Sequence, residues 1–167
     1  MERAKVRKTV RPLRCVLFMS AEEDDHASLR QILEPAGWEL QGAFTARTGI
    51  DALRDLSHHF PVVICSYILP DGDWERILAA TDRMPIRPSL VVSSRMADER
   101  LWAEVLNLRA FDLLLGGPFD REEVLRVVEN AWWASDRYDK YASPPNRRDP
   151  ERAQGTNSRK LVAGSGS

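Results

Sequence analysis

Pro61-Val62-Val63-Ile64-Cys65-Ser66-Tyr67-Ile68-Leu69-Pro70-Asp71-Gly72-Asp73 is the stretch whose reading decides the fold. Its first half is an unbroken apolar run of strand length; its second half turns at Leu69-Pro70 and stops at Asp71-Gly72-Asp73. Side chains that are apolar on both sides of the pleat belong to a strand covered on both faces, as in the interior of a parallel sheet. Leu90-Val91-Val92 has the same character. Working outward, strand-length runs fall at about 15–20, 38–43, 61–66, 89–94 and 111–115. Helical patterns fall between and after them, at about 24–35, 46–58, 73–81, 98–108 and 120–134. Five strands, each followed by a helix, predict a doubly wound α/β domain: a five-stranded parallel sheet with helices on both faces.

The helical stripes agree. Val124, Leu125, Val128, Ala131 and Trp132 share one face of the last helix at about 100° per residue, leaving Trp133 pointing away from the core. Asp120 and Glu123 make a capping-box-like start for that helix. In the fourth helix Leu101, Trp102, Val105 and Leu108 are expected to face inward. The segmentation is therefore a basic extension at 1–13, one domain at 14–134, and a polar Pro/Gly/Ser-rich tail at 135–167 expected to be disordered.

Hydrophobic residues at 43% suffice for a core. No apolar run reaches the roughly 18 residues that span a bilayer, so a cytoplasmic protein with no membrane partner is expected. Residues 1–14 carry six basic side chains against Glu2, and 135–167 carry seven against four. With a whole-chain charge of −1, this leaves 15–134 at −9, without a single lysine. Basic ends on an acidic body raise nucleic acid as a partner, but no aromatic interleaving or DNA-binding motif accompanies them. Cys15 and Cys65, four residues out of step on neighbouring strands, are expected to be buried free thiols.

The strand ending at Ser66 with its Leu69-Pro70 turn, and Arg109-Ala110-Phe111-Asp112-Leu113-Leu114 followed by Pro118-Phe119-Asp120, resemble the third and fifth strands of bacterial response-regulator receiver domains. The resemblance covers about 14–134 and implies a flavodoxin-like (CheY-like) sheet of order 2-1-3-4-5. In that family an acidic pair ending the first strand holds Mg²⁺, an aspartate ending the third accepts the phosphoryl group, and a Ser/Thr ends the fourth. A lysine precedes a cis proline. Here these positions fall on Ser20 and Ala21, on Ser66, on Ser94, and on Gly117 or Gly116. The aromatic of the fifth strand is replaced by Leu113 or Leu114. Only Ser94 keeps its residue type. Mg²⁺ needs carboxylate and phosphate oxygens, and phosphoryl transfer needs charge neutralised on the equatorial oxygens. The resemblance therefore implies a degenerate, or pseudo-, receiver.

Relocated acids are the alternative. Glu22 and Asp25 follow the first strand and Asp71 follows Ser66, so all three stand near the strand ends where ligands bind in open α/β sheets. Helix N-terminal chemistry explains these acids equally. His26 and the His58-His59 pair lie at opposite edges of the sheet and do not converge, with His58-His59 expected at the end of the second helix. Ser66 has no Gly-x-Ser-x-Gly elbow around it, and no catalytic constellation emerges. The expectation is a stand-alone, non-enzymatic signalling module of the two-component (phosphorelay) type. It acts without phosphorylation, uses no cofactor, and docks a histidine kinase, another regulator or itself. Arg100, Glu104, Arg121 and Trp133 are the candidate docking residues, since Trp and Arg most often anchor interfaces. The competing functions are a regulator switched by a divalent cation or small ligand, and a nucleic-acid-associated regulator using the basic ends.

Overall fold

The computed structural model describes residues 14–96 and 98–142. Residues 1–13 and 143–167, which hold most of both basic ends, lie outside the described residues. β1 (Cys15–Met19), β2 (Glu39–Ala43), β3 (Val62–Ser66), β6 (Ser89–Ser94) and β7 (Asp112–Leu115) form one parallel sheet in the order β2-β1-β3-β6-β7. Counted along the chain, these five strands stand in the order 2-1-3-4-5, as expected. Two short segments, β4 (Ile68–Leu69) and β5 (Gly72–Asp73), pair antiparallel just beyond β3.

Alternation along the strands sorts the core into two layers. Val16, Phe18, Val62, Ile64, Val91 and Leu114 pack under α1 (Glu23–Leu33) and α5 (Arg121–Ala142). Leu17, Met19, Val63, Cys65, Val92 and Leu113 pack under α2 (Ala46–Arg54), α3 (Trp74–Asp82) and α4 (Glu99–Asn107). β1, β3 and most of β6 are buried on both sides, which is why their sequences run apolar without alternation. Met19 pairs with Cys65, so Cys15 stands four residues away, and both thiols are free and buried. Burial pushes the Cys15 thiol up to about 11 and the Cys65 thiol higher still, so neither is a thiolate nucleophile at neutral pH.

Four local expectations need correction. α2 ends at Arg54 rather than 58, because Asp55 turns extended and its carboxylate accepts both the Ser57 N–H and hydroxyl. That local turn competes with the next helical bond. His58 lies beyond it, paired with Asp55 at 3.4 Å, so dipole complementarity does not explain it. In α4 only Leu101 and Val105 are buried; Trp102 and Leu108 remain 44% and 43% exposed. Trp102 sits about 100° around the helix from Leu101, and Leu108 is the C-cap, past the last turn. Finally, α5 continues to Ala142, eight residues into the segment expected to be tail. No glycine or proline interrupts 121–142, and the first helix-breaking pair is Pro144-Pro145.

Candidate functional site

The order reversal places β1 and β3 at the switch point, and the loops at their carboxyl ends open into a crevice of about 640 Å³. Ser20, Ala21, Glu22 and Asp25 line one wall. Ser66, Tyr67 and Ile68 come from the exit of β3, and Ser93, Ser94 and Arg95 from the exit of β6. Arg100 and Glu104 of α4 close the far side, with Gly116 at the β7 exit. The positions singled out at four strand ends are thus brought together.

Their hydrogen bonds are already largely committed. Ser20 is buried, its hydroxyl accepts the Glu22 N–H at 3.1 Å, and its carbonyl meets His26 Nε2 at 2.8 Å. His26 is buried between Phe18 and Phe44, with ring centroids at 4.7 and 4.4 Å. It is a structural histidine that ties α1 to the end of β1. The Ser94 hydroxyl donates to the Met96 carbonyl at 3.0 Å and accepts the Met96 N–H at 3.2 Å, fixing the turn after β6.

The electrostatic centre of the crevice is a residue the sequence did not single out. Arg95 Nη2 donates to Asp25 Oδ1 at 3.1 Å, joining the loop after β6 to the first turn of α1. Asp25 is buried at 8% exposure, on the face of α1 that also buries Leu29 and Ile32. The same guanidinium lies against Gly117: a Cβ there would sit 3.2 Å from Arg95 Nε and 3.3 Å from Cζ. Gly117 also holds φ +79, a left-handed conformation that favours glycine, before the cis Gly117-Pro118 bond. Arg95 therefore presses on the position where the receiver resemblance puts a lysine. The only signal for it in the sequence was its place directly after Ser93-Ser94. Its partner stands 70 residues away, beyond any local pattern.

Mg²⁺ does not fit the donors present. Ala21 has no side-chain donor, the Ser20 hydroxyl is engaged with backbone, and the Asp25 carboxylate is paired with a cation. Among the described residues no three His, Cys, Asp or Glu side chains are grouped as a ligand set.

The remaining candidates separate. Asp71 does not reach the crevice: its carboxylate accepts the N–H groups of Ala46 at 2.7 Å and Arg47 at 3.0 Å, clamping the β4–β5 turn to the start of α2. Free N–H groups at a helix start draw it there. Those two bonds hold its carboxyl below the usual 3.8. A carboxylate with a depressed folded-state pKa contributes stability above its unfolded value and loses it as pH falls through the folded value. Asp71→Asn is accordingly expected to melt below the wild type at pH ~6, with the gap narrowing as pH falls below about 4; a gap that does not narrow on acidification would refute the clamp. Arg100 and Glu104 belong to the crevice wall, where Glu104 lies close enough to help raise the pKa of Tyr67, after desolvation. Arg121 opens α5, whereas Trp133 is 48% exposed twelve residues further, about 18 Å along the axis. The four candidates are thus divided between the crevice wall and the two ends of this stretch of α5.

No protein-family model matches the chain, and no curated protein matches it. Solved structures do. The signal receiver domain of an HD domain-containing protein from Pseudomonas fluorescens Pf-5 superposes with a TM-score of 0.69 at 22% identity, covering 79% of this chain and 96% of that one. A CheY-like response regulator receiver domain protein from Methanospirillum hungatei JF-1 gives 0.65 at 20%, covering 75% and 98%. The signal receiver domain of a Luxo repressor protein from Vibrio parahaemolyticus gives 0.69 at 16%, covering 78% and 98%. This chain has the fold of the response-regulator receiver, or CheY-like, domain. Among the described residues no helix is long and apolar enough to cross a membrane.

Proposed function

We propose that this chain is a receiver-like signalling module of the two-component type that acts in the cytoplasm by docking another protein, without accepting a phosphoryl group. The observation that carries the reading is the Asp25–Arg95 pair beside Ser66. A serine at the end of β3 offers no carboxylate for an acyl phosphate, and the one buried acid of the crevice is neutralised from within. No group in the crevice is assigned a catalytic role. Docking is supported by apolar side chains left in solvent: Trp102 and Leu106 lie one turn apart on α4, and Leu115 lies on the edge strand β7. A histidine kinase, another regulator or a second copy are the partners this reading names.

Titration with Mg²⁺ and then beryllofluoride tests it, read by backbone amide shifts and by the fluorescence of Trp74, which is buried beside the β3 exit. The expected result is no saturable change. Saturable shifts at Glu22–Asp25, Ser66 and Ser94 would replace this reading with that of a cation- or ligand-switched regulator working through Glu22 and Asp25.

A further inference from the structure

On the opposite face from α1 and α5, α2 and α3 lie side by side and leave a groove of about 840 Å³ between them. It shares no residue with the crevice. Its lining includes arginines at matched spacing: Arg47 and Arg54 on α2, Arg76 on α3 and Arg83 at its C-cap. Seven residues is nearly two full turns, so each pair stands on one side of its helix about 10.5 Å apart. Between them the lining is apolar: Ile50 and Leu53 are buried beneath it, Ala80 and Met84 are half-buried, and Leu56 is almost fully exposed.

The charge is out of keeping with the rest of the domain. Residues 15–134 carry −9, yet this groove gathers four arginines against Asp51 alone. Arg76 is already held by Asp71, donating to its carbonyl at 2.8 Å and facing its carboxylate at 3.9 Å. Among the described residues, Arg47, Arg54 and Arg83 have no salt-bridge partner. Three arginines without an ion-pair partner repel one another across one groove beside the almost fully exposed Leu56, and a ligand of opposite sign with an apolar stripe would relieve both features.

We infer that the α2–α3 groove is a docking site for an acidic amphipathic helix of a partner protein, its apolar stripe on the floor and its carboxylates on the arginine rails. An apolar stripe at i, i+3, i+4 and i+7 matches a floor about two turns long. Nucleic acid fits less well, because no aromatic side chain lines the groove for base stacking. The chain's own ends are basic in composition and would be repelled. This inference goes beyond the crevice reading and fails independently of it, since the two are probed at separate residues.

The test uses the full chain and a synthetic helical peptide with a leucine stripe flanked by glutamates. The same peptide with lysine for glutamate, and a single-stranded oligonucleotide, serve as comparisons. Saturable amide shifts along α2 and α3 are expected with the glutamate peptide, with the lysine peptide at least about tenfold weaker. Combined Arg54→Glu and Arg83→Glu should weaken binding by about tenfold or more, more strongly at low salt. Arg100→Glu, in the crevice, should leave it unchanged. Both groove arginines are exposed, and amide dispersion verifies that the variant folds. Absence of saturable binding, equal binding of the lysine peptide, an equal effect of Arg100→Glu, or tighter binding of the oligonucleotide would each overturn the inference. Self-association lost on the same reversals would overturn a heterologous partner in favour of a second copy.

Discussion

Trp74→Ala is expected to cost about 3–5 kcal/mol of unfolding free energy, the range for a large aromatic removed from a core. Trp74 is 1% exposed and opens α3 directly after the β4–β5 hairpin. Its indole belongs to the layer of Val63, Cys65 and Val92, and its backbone N–H donates to the Tyr67 carbonyl at 3.3 Å. It thereby ties the exit of β3, which carries the crevice wall, to the centre of the domain. Alanine keeps the backbone bond and leaves a cavity, so the loss is one of packing rather than hydrogen bonding. Since domains of this size are stable by about 5–15 kcal/mol, a large fraction goes. A urea transition should move to lower midpoint with its slope unchanged. A loss under about 1 kcal/mol would mean that the surrounding side chains collapse into the space.

Gly49→Ala is expected to destabilise as well, although alanine is the better helix former by about 1 kcal/mol. Gly49 is buried on the inner face of α2, where an added Cβ would collide with the γ-carbon, sulfur and methyl of Met19. Met19 is fully buried in β1, so moving its tip alone does not clear the contact. Overpacking of this kind costs about 1–3 kcal/mol, which exceeds the propensity gain. Shortening Met19 to valine in the same chain should return part of the loss, and the double-mutant cycle should show favourable coupling. If Gly49→Ala alone raised the melting temperature, α2 would stand further from the sheet than described.

Strand positions were legible because an interior parallel strand needs apolar side chains on both faces, and few other structures demand that. For the five strands of the parallel sheet, predicted and observed ends agree within one residue, whereas the two-residue β4 and β5 were not predicted. Helix ends were less legible. The end of α2 depends on an Asp55 side chain choosing the Ser57 N–H over continued helix, and the far end of α5 on the distance to the next proline. Trp102 was misplaced because burial on α4 depends on how much of the helix the last two strands cover, which periodicity does not report.

In the crevice, Ser20, Ser66, Ser94 and Gly116 were found from the sequence, since each ends or directly follows a strand and strand ends meet at one edge of a parallel sheet. Asp71 and Asp25 looked alike as candidates, yet one caps α2 and the other faces Arg95. By itself the sequence determined the layering of the domain and which residue types stand at its strand ends, both of which are carried by local residue type and period. Only the tertiary structure decided which charges meet: the Arg95–Asp25 pair in the crevice, and the arginines of α2 and α3 facing one groove. Electrostatic energy depends on distance in space, and residues 70 apart in the chain come within 3.1 Å only when the sheet has formed.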